Sequence, residues 1–208
     1  MNLREYFCTL QERENRAAQP LISKWPRTAV VDINNRLHLA FAGCRFQQNP
    51  LEVELSTTNQ ALGNLLANHF VTQMSRKLKG YVITDCKGQG YPDRCLVSSM
   101  SHKSYPFELK STCAFDPQST QRVILTCSSW KLRRFFVRPV NHILIMLLYE
   151  RIREKVRIVD YRSDFLEPHT KVNARFEASL SKHLLSKANH MHFCGPLMGG
   201  SGNWGEIE

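Results

Sequence analysis

The stretch YPDRCLVSSMSHKSYPFELKSTCAF, residues 91–115, holds two carboxylates and an ammonium at spacings that suit metal-assisted hydrolysis. Taken as a strand, Phe107-Glu108-Leu109-Lys110 alternates. Phe107 and Leu109 turn towards a core, and Glu108 and Lys110 share the other face, about 6.5–7 Å apart along the strand. If residues 93–99 form the preceding strand and the chain reverses tightly at Met100-Ser101, Asp93 stands opposite Glu108, with Cβ atoms about 4.5–5.5 Å apart. A longer reversal through Ser101–Ser104 shifts that register. Two carboxylates held so close repel each other, and a hard divalent cation relieves the repulsion. An oxygen-only ligand set favours Mg²⁺, with Mn²⁺ able to substitute, over Zn²⁺. Lys110 beside such an ion can orient a bound water, help deprotonate it, or stabilise charge on a phosphate. The chemistry this constellation offers is attack of metal-activated water on phosphorus.

The elements that must position these residues follow from hydrophobic spacing. Leu3, Tyr6, Phe7 and Leu10 predict a short helix over 2–17. AVVDI (29–33) and RLHLAF (36–41) read as two short strands around an Asn34-Asn35 turn, with Leu37, Leu39 and Phe41 on one face. The clearest helix runs over 57–79. Ser56, Thr57 or Thr58 can cap it, Leu62, Leu66, Phe70, Met74 and Leu78 recur at four-residue steps, and Gly80 stops it. YVITD (81–85) begins an extended segment. Strands are then expected at 93–99, 106–112 and 122–128, with turn signals at SHKS (101–104) and DPQS (116–119). HILIMLLYERI (142–152) has helical length and composition, but the VRIVDY that follows (156–161) suits a hairpin partner and tips it to strand. Residues 171–188 read as a helix, with Ala174, Ala178, Leu180 and Leu184 on one side. The order helix, strands, helix predicts an α/β class bordering on α+β, with a central mixed β-sheet flanked by helices.

The 208 residues show no repeat and no dividing linker, so one domain over 1–208 is expected, with an extended tail at 195–208. No apolar run is long enough to span a membrane, and the charged N-terminus does not read as a secretory signal. Seven cysteines without a CxxC pair fit neither a disulfide scaffold nor a zinc ribbon. They read as reduced thiols in a cytoplasmic protein, with Cys113 and Cys127 as packing residues. A formal net charge of +10 points to a polyanionic partner, nucleic acid first. Lys131, Arg133, Arg134 and Arg138 form the densest basic cluster and suit phosphate contacts, with a solvated charged face as the alternative.

Pro92-Asp93, followed after a hairpin-length gap by Glu108-Leu109-Lys110, resembles the PD-(D/E)xK nuclease superfamily, whose best-known members are type II restriction endonucleases. The resemblance covers about 25 residues directly. It implies that Asp93 and Glu108 bind a catalytic Mg²⁺ together with the backbone carbonyl of Leu109, and that Lys110 assists the attacking water. It further implies a restriction-endonuclease-like fold and a homodimer that cuts both strands of double-stranded DNA. Two-fold symmetry would match a palindromic site, and a bacterial or archaeal cytoplasm would be the setting. Two other roles stay open: a structure-selective or repair nuclease of the same superfamily, and a DNA-binding protein without catalysis.

The sequence departs from the family at one point. Many members carry a Glu on the helix before the motif, often near a Gly-Asn pair. Here Gly63-Asn64 is followed by Leu65, Leu66, Ala67 and Asn68. Either Glu52 or Glu54, just before the helix, substitutes for it, or the site lacks that carboxylate, which leaves the number of metal ions open. Asp85, with Lys87 two residues on, is a weaker candidate carboxylate. His190, His192 and Cys194 alternate, but three ligands on one strand face do not close a tetrahedron.

Overall fold

Pro26, with φ −65° and ψ 127°, leads directly into helix α1, Arg27–Cys44. The computed structural model describes residues 4–5, 22–85, 94–113 and 139–169, and the backbone of 171–176, 191–198 and 201–202. Helix α1 replaces the hairpin expected over 29–41. Ile33, Leu37, Ala40 and Cys44 are its buried residues, at three- to four-residue steps. Leu39, expected to share a face with Leu37, is 71% exposed. The Asn34 side chain accepts a hydrogen bond from Ser163 Oγ at 2.8 Å instead of making a turn. Packing decided between two periods that the short apolar runs left ambiguous.

Helix α2, Asn59–Lys77, forms as its pattern predicts. Thr58 Oγ1 accepts from Ala61 N at 3.3 Å, and Leu62, Leu66, Phe70 and Met74 are buried at four-residue steps. The chain then turns through Gly80, whose φ of 81° suits a residue without Cβ.

The strands are β1 (Leu51–Glu52), β2 (Tyr81–Asp85), β3 (Arg94–Ser98), β4 (Ser104–Thr112), β5 (His142–Ile152), β6 (Lys155–Leu166), β7 (Lys171–Phe176), β8 (Met191–Met198) and β9 (Ser201–Gly202). The main sheet runs in the order β1-β6-β5-β4-β3-β2, with β9 on β6. β4 and β5 are parallel and the other pairs antiparallel, so the sheet is mixed and the chain is of the α/β or α+β class. The hairpin of 142–152 with 156–161 forms as expected, and β6 is longer than predicted. Residues 171–176, expected as the start of a helix, are a strand paired with β8. That pairing joins segments some twenty residues apart, which no local window contains. Ser201–Gly202, within the stretch expected as a tail, pairs with Phe165 and Asp164. The expected strand at 122–128 lies outside the described residues, as do most of 2–17 and all of 177–188. No described helix is long and apolar enough to cross a membrane.

Both helices contribute to one core with Phe107, Leu109, Ile143, Ile145, Ile158 and Phe165 of the sheet. Phe70 is its centre. It is 1% exposed and stacks on Phe46 at 5.7 Å, with Phe41 and Tyr161 at 6.5 and 6.3 Å. Phe70→Ala is expected to lower unfolding free energy by about 3–5 kcal/mol in chemical denaturation.

Candidate active site

Strand β4 separates its side chains as alternation requires. Phe107 and Leu109 enter the core, and Glu108 and Lys110 take the opposite face. Lys110 Nζ donates to Glu108 Oε1 at 2.5 Å. The Glu108 side chain is 6% exposed and that of Lys110 21%, so the carboxylate is largely out of water. Its β5 partner Leu144 and Lys110's partner Met146 are also buried. A carboxylate in such surroundings needs a counter-charge, and Lys110 supplies it from the next same-face position.

The β3–β4 ladder pairs Arg94 with Phe107, Cys95 with Pro106, Leu96 with Tyr105 and Val97 with Ser104. This is the register expected from a tight reversal, although the connection is longer than two residues. Ser98 N donates to Lys103 O at 2.9 Å, and His102 takes a left-handed φ of 55°. Asp93 itself lies outside the described residues, as do Lys131, Arg133, Arg134 and Arg138. Those four cations fall in the connection between β4 and β5.

Asp85 does not join Glu108. It pairs with Arg94, which pairs with Phe107, so it belongs to the row on the helix side of the sheet. Its carboxylate is 83% exposed and lies 2.9 Å from Arg94 Nε. Glu52 cannot replace the missing helix carboxylate, because its strand β1 is the far edge of the sheet, beyond β6 and β5. Glu52 also pairs with Lys155 at the end of the β5–β6 hairpin away from Leu144. Glu54 follows that same edge strand, with its carboxylate bonded by Ser56 Oγ at 3.2 Å. Helix α2 contains no acidic residue. His192 and Cys194 lie on β8 opposite Arg175 and Asn173, and His190 is outside the described residues. Among the described residues no group of three or more His, Cys, Asp or Glu could hold a metal ion. The donors at this point of β4 are the Glu108 carboxylate and the Leu109 carbonyl, both oxygen, which suits a hard cation such as Mg²⁺.

The sequence reading missed a second ion pair on the same face. Asp164 pairs with Leu144 and Arg162 with Met146, so Glu108–Leu144–Asp164 forms one row across the sheet and Lys110–Met146–Arg162 the next. Arg162 Nη2 donates to Asp164 Oδ1 at 2.7 Å. Burial raises the Asp164 carboxyl above its ordinary range, and Arg162 partly offsets this. Arg162-Ser163-Asp164 is a cation and a carboxylate two residues apart, the same strand spacing as Glu108-Leu109-Lys110 in reverse order. That signal was available in the sequence. His142, on the same face and 0% exposed, has its pKa pushed down to about 3 by burial.

A comparison with protein-family models finds no match to the chain, and a comparison with curated protein sequences finds none.

Two predictions follow from this geometry. Lys110→Met is expected to destabilise the fold by about 3–5 kcal/mol by leaving a buried carboxylate uncompensated, and Glu108→Gln/Lys110→Met to recover most of that loss in urea unfolding. His142 is neutral when folded but takes up a proton near pH 6.5 when unfolded. Stability is therefore expected to fall as pH drops from 6.5 to 5, with a slope approaching about 1.4 kcal/mol per pH unit. The raised Asp164 carboxyl acts in the opposite sense nearer its own titration. Denaturation curves across this window should show a flatter slope for His142→Gln.

Proposed function

We propose that this protein is a Mg²⁺-dependent DNA endonuclease of the PD-(D/E)xK kind, working as a type II restriction endonuclease at a short specific sequence. The observation that carries this reading is the Glu108–Lys110 pair, held 2.5 Å apart on β4. The β3–β4 register on which the opposition of Asp93 and Glu108 depends supports it. So do the mixed sheet with its helices and the net charge of +10, which suits a polyanionic substrate.

In this reading Asp93, Glu108 and the Leu109 carbonyl hold Mg²⁺, with Mn²⁺ as a substitute. The bound ion would supply an activated water for attack on phosphorus. Lys110, as an ammonium, would donate a hydrogen bond that orients that water, ease its deprotonation by its positive charge, and stabilise charge on the phosphate. Lys131, Arg133, Arg134 and Arg138, in the connection entering β5, contact backbone phosphates of double-stranded DNA. A homodimer puts one such site on each strand of a palindrome. The expected compartment is the cytoplasm.

The burial of the Glu108–Lys110 pair favours one competing reading, a DNA-binding protein in which the pair only stabilises the sheet. Incubation with plasmid DNA separates the two. Discrete fragments with Mg²⁺ that vanish with EDTA are expected from the nuclease. Glu108→Gln, which keeps the side-chain shape, should slow cutting on the order of 1,000-fold with an unchanged circular dichroism spectrum. Salt-sensitive binding with no cleavage of any DNA in Mg²⁺ or Mn²⁺ would leave the competing reading. Cutting confined to nicked, branched or mismatched DNA would point to a repair nuclease of the same superfamily.

A further inference from the structure

A cleft of about 410 Å³ opens between α2 and β4 on the helix side of the sheet, and Lys110 and Ser111 of β4 are also among its lining residues. One wall is an amide stripe on α2. Gln60, Asn64 and Asn68 follow at four-residue steps beside the buried Leu62–Leu66–Phe70 stripe, and all three are exposed. Ala67 and Leu109 give the floor its apolar part, with the fully buried Leu147 beneath. Arg94 stands at the side, where its Nη2 donates to Asn68 Oδ1 at 3.2 Å.

Several features narrow the ligand. The volume suits one small molecule rather than a peptide or a duplex. Three amides around a small apolar contact at Ala67 and Leu109 match a heterocycle with donors and acceptors on its edge, since each amide presents both. Arg94 takes up the Asn68 oxygen and so turns that amide's N–H₂ away from itself. None of the described residues lining the cleft is acidic, and the neighbouring Asp85 is paired with Arg94. The approach of α2 to β4 is set at Gly63, where a Cβ would lie 3.3 Å from Ser111 Oγ.

We infer that this cleft binds one unstacked nucleobase of a nucleic-acid strand, with its face against Ala67 and Leu109 and its edge on the amides of Gln60, Asn64 and Asn68. This rests on the reading of the protein as one that handles DNA, and adds to it a site that holds a base outside the duplex, at the cost of unstacking it. The amides act by neutral hydrogen bonding and take no part in hydrolysis.

The test uses the full chain in EDTA, so that the metal-dependent chemistry plays no part. Each of the four 2′-deoxynucleoside 5′-monophosphates is titrated by calorimetry, with deoxyribose 5-phosphate and inorganic phosphate as controls. Saturable binding of at least one nucleotide is expected, with neither control binding comparably. Asn64→Ala should weaken it by about 10-fold, the loss of one well-placed hydrogen-bonding group. Asn64→Trp, an exposed position where bulk fills the cleft, should abolish it with an unchanged melting temperature. If no nucleotide binds, if deoxyribose 5-phosphate binds as well as the nucleotides, or if Asn64→Trp binds like the unaltered protein, the inference is overturned. Nucleotide binding without plasmid cleavage would overturn the nuclease reading alone, and cleavage without nucleotide binding would overturn this one alone.

Discussion

A carboxylate on a strand buried from both sides must bring its own counter-charge. Strand β4 meets this condition at Glu108. Its odd-numbered residues enter the aromatic core beneath the helices, and its even-numbered residues face a second buried surface with Leu144 and Met146. A lone carboxylate on that surface would be strongly disfavoured, and a cation two residues along is the nearest neighbour on the same face. The Arg162–Asp164 pair repeats the solution on β6, in the same two rows, with β5 between. The sheet thus tolerates Glu108, Lys110, Arg162 and Asp164 on the surface that also holds Leu144 and Met146, because each of these four charges has its partner within one strand repeat.

The parallel join of β4 to β5 shapes what surrounds that pair. Parallel neighbours need a long return connection, and here it spans residues 113–141, the segment carrying Lys131, Arg133, Arg134 and Arg138. Among the described residues, β3 accompanies β4 only as far as Phe107, while β4 runs on to Thr112. The cleft under α2 lies along that stretch. The helix that roofs it carries no acid and ends in Arg76 and Lys77, and Asp85, on the same side of the sheet, is paired with Arg94. The absence of a helix carboxylate, visible in the sequence, is thereby not made good by Glu52 or Glu54, which the sheet order assigns to the opposite edge.

Helix α2, the alternation of β4 and the β5–β6 hairpin were legible in the sequence because each rests on a repeated local pattern. Four-residue apolar steps, period-two alternation and a pair of apolar runs flanking a short turn are enough by themselves. Helix α1 was not legible. AVVDI and RLHLAF suit either period, and only burial of Ile33, Leu37, Ala40 and Cys44 against α2 and the sheet selects the helical one. Strand β7 failed for a related reason, since its partner β8 is remote in the chain.

The sequence by itself determined that Glu108 and Lys110 share a face, because alternation along a strand is a property of the backbone. It also determined that the chain is basic and that no Glu follows Gly63-Asn64 on α2. Tertiary structure alone decided that Asp85 faces away from Glu108, that Glu52 is remote, and that Arg162 and Asp164 share the rows of Lys110 and Glu108. Those outcomes depend on strand order and register, which are fixed by which apolar faces bury each other and not by any spacing along one segment.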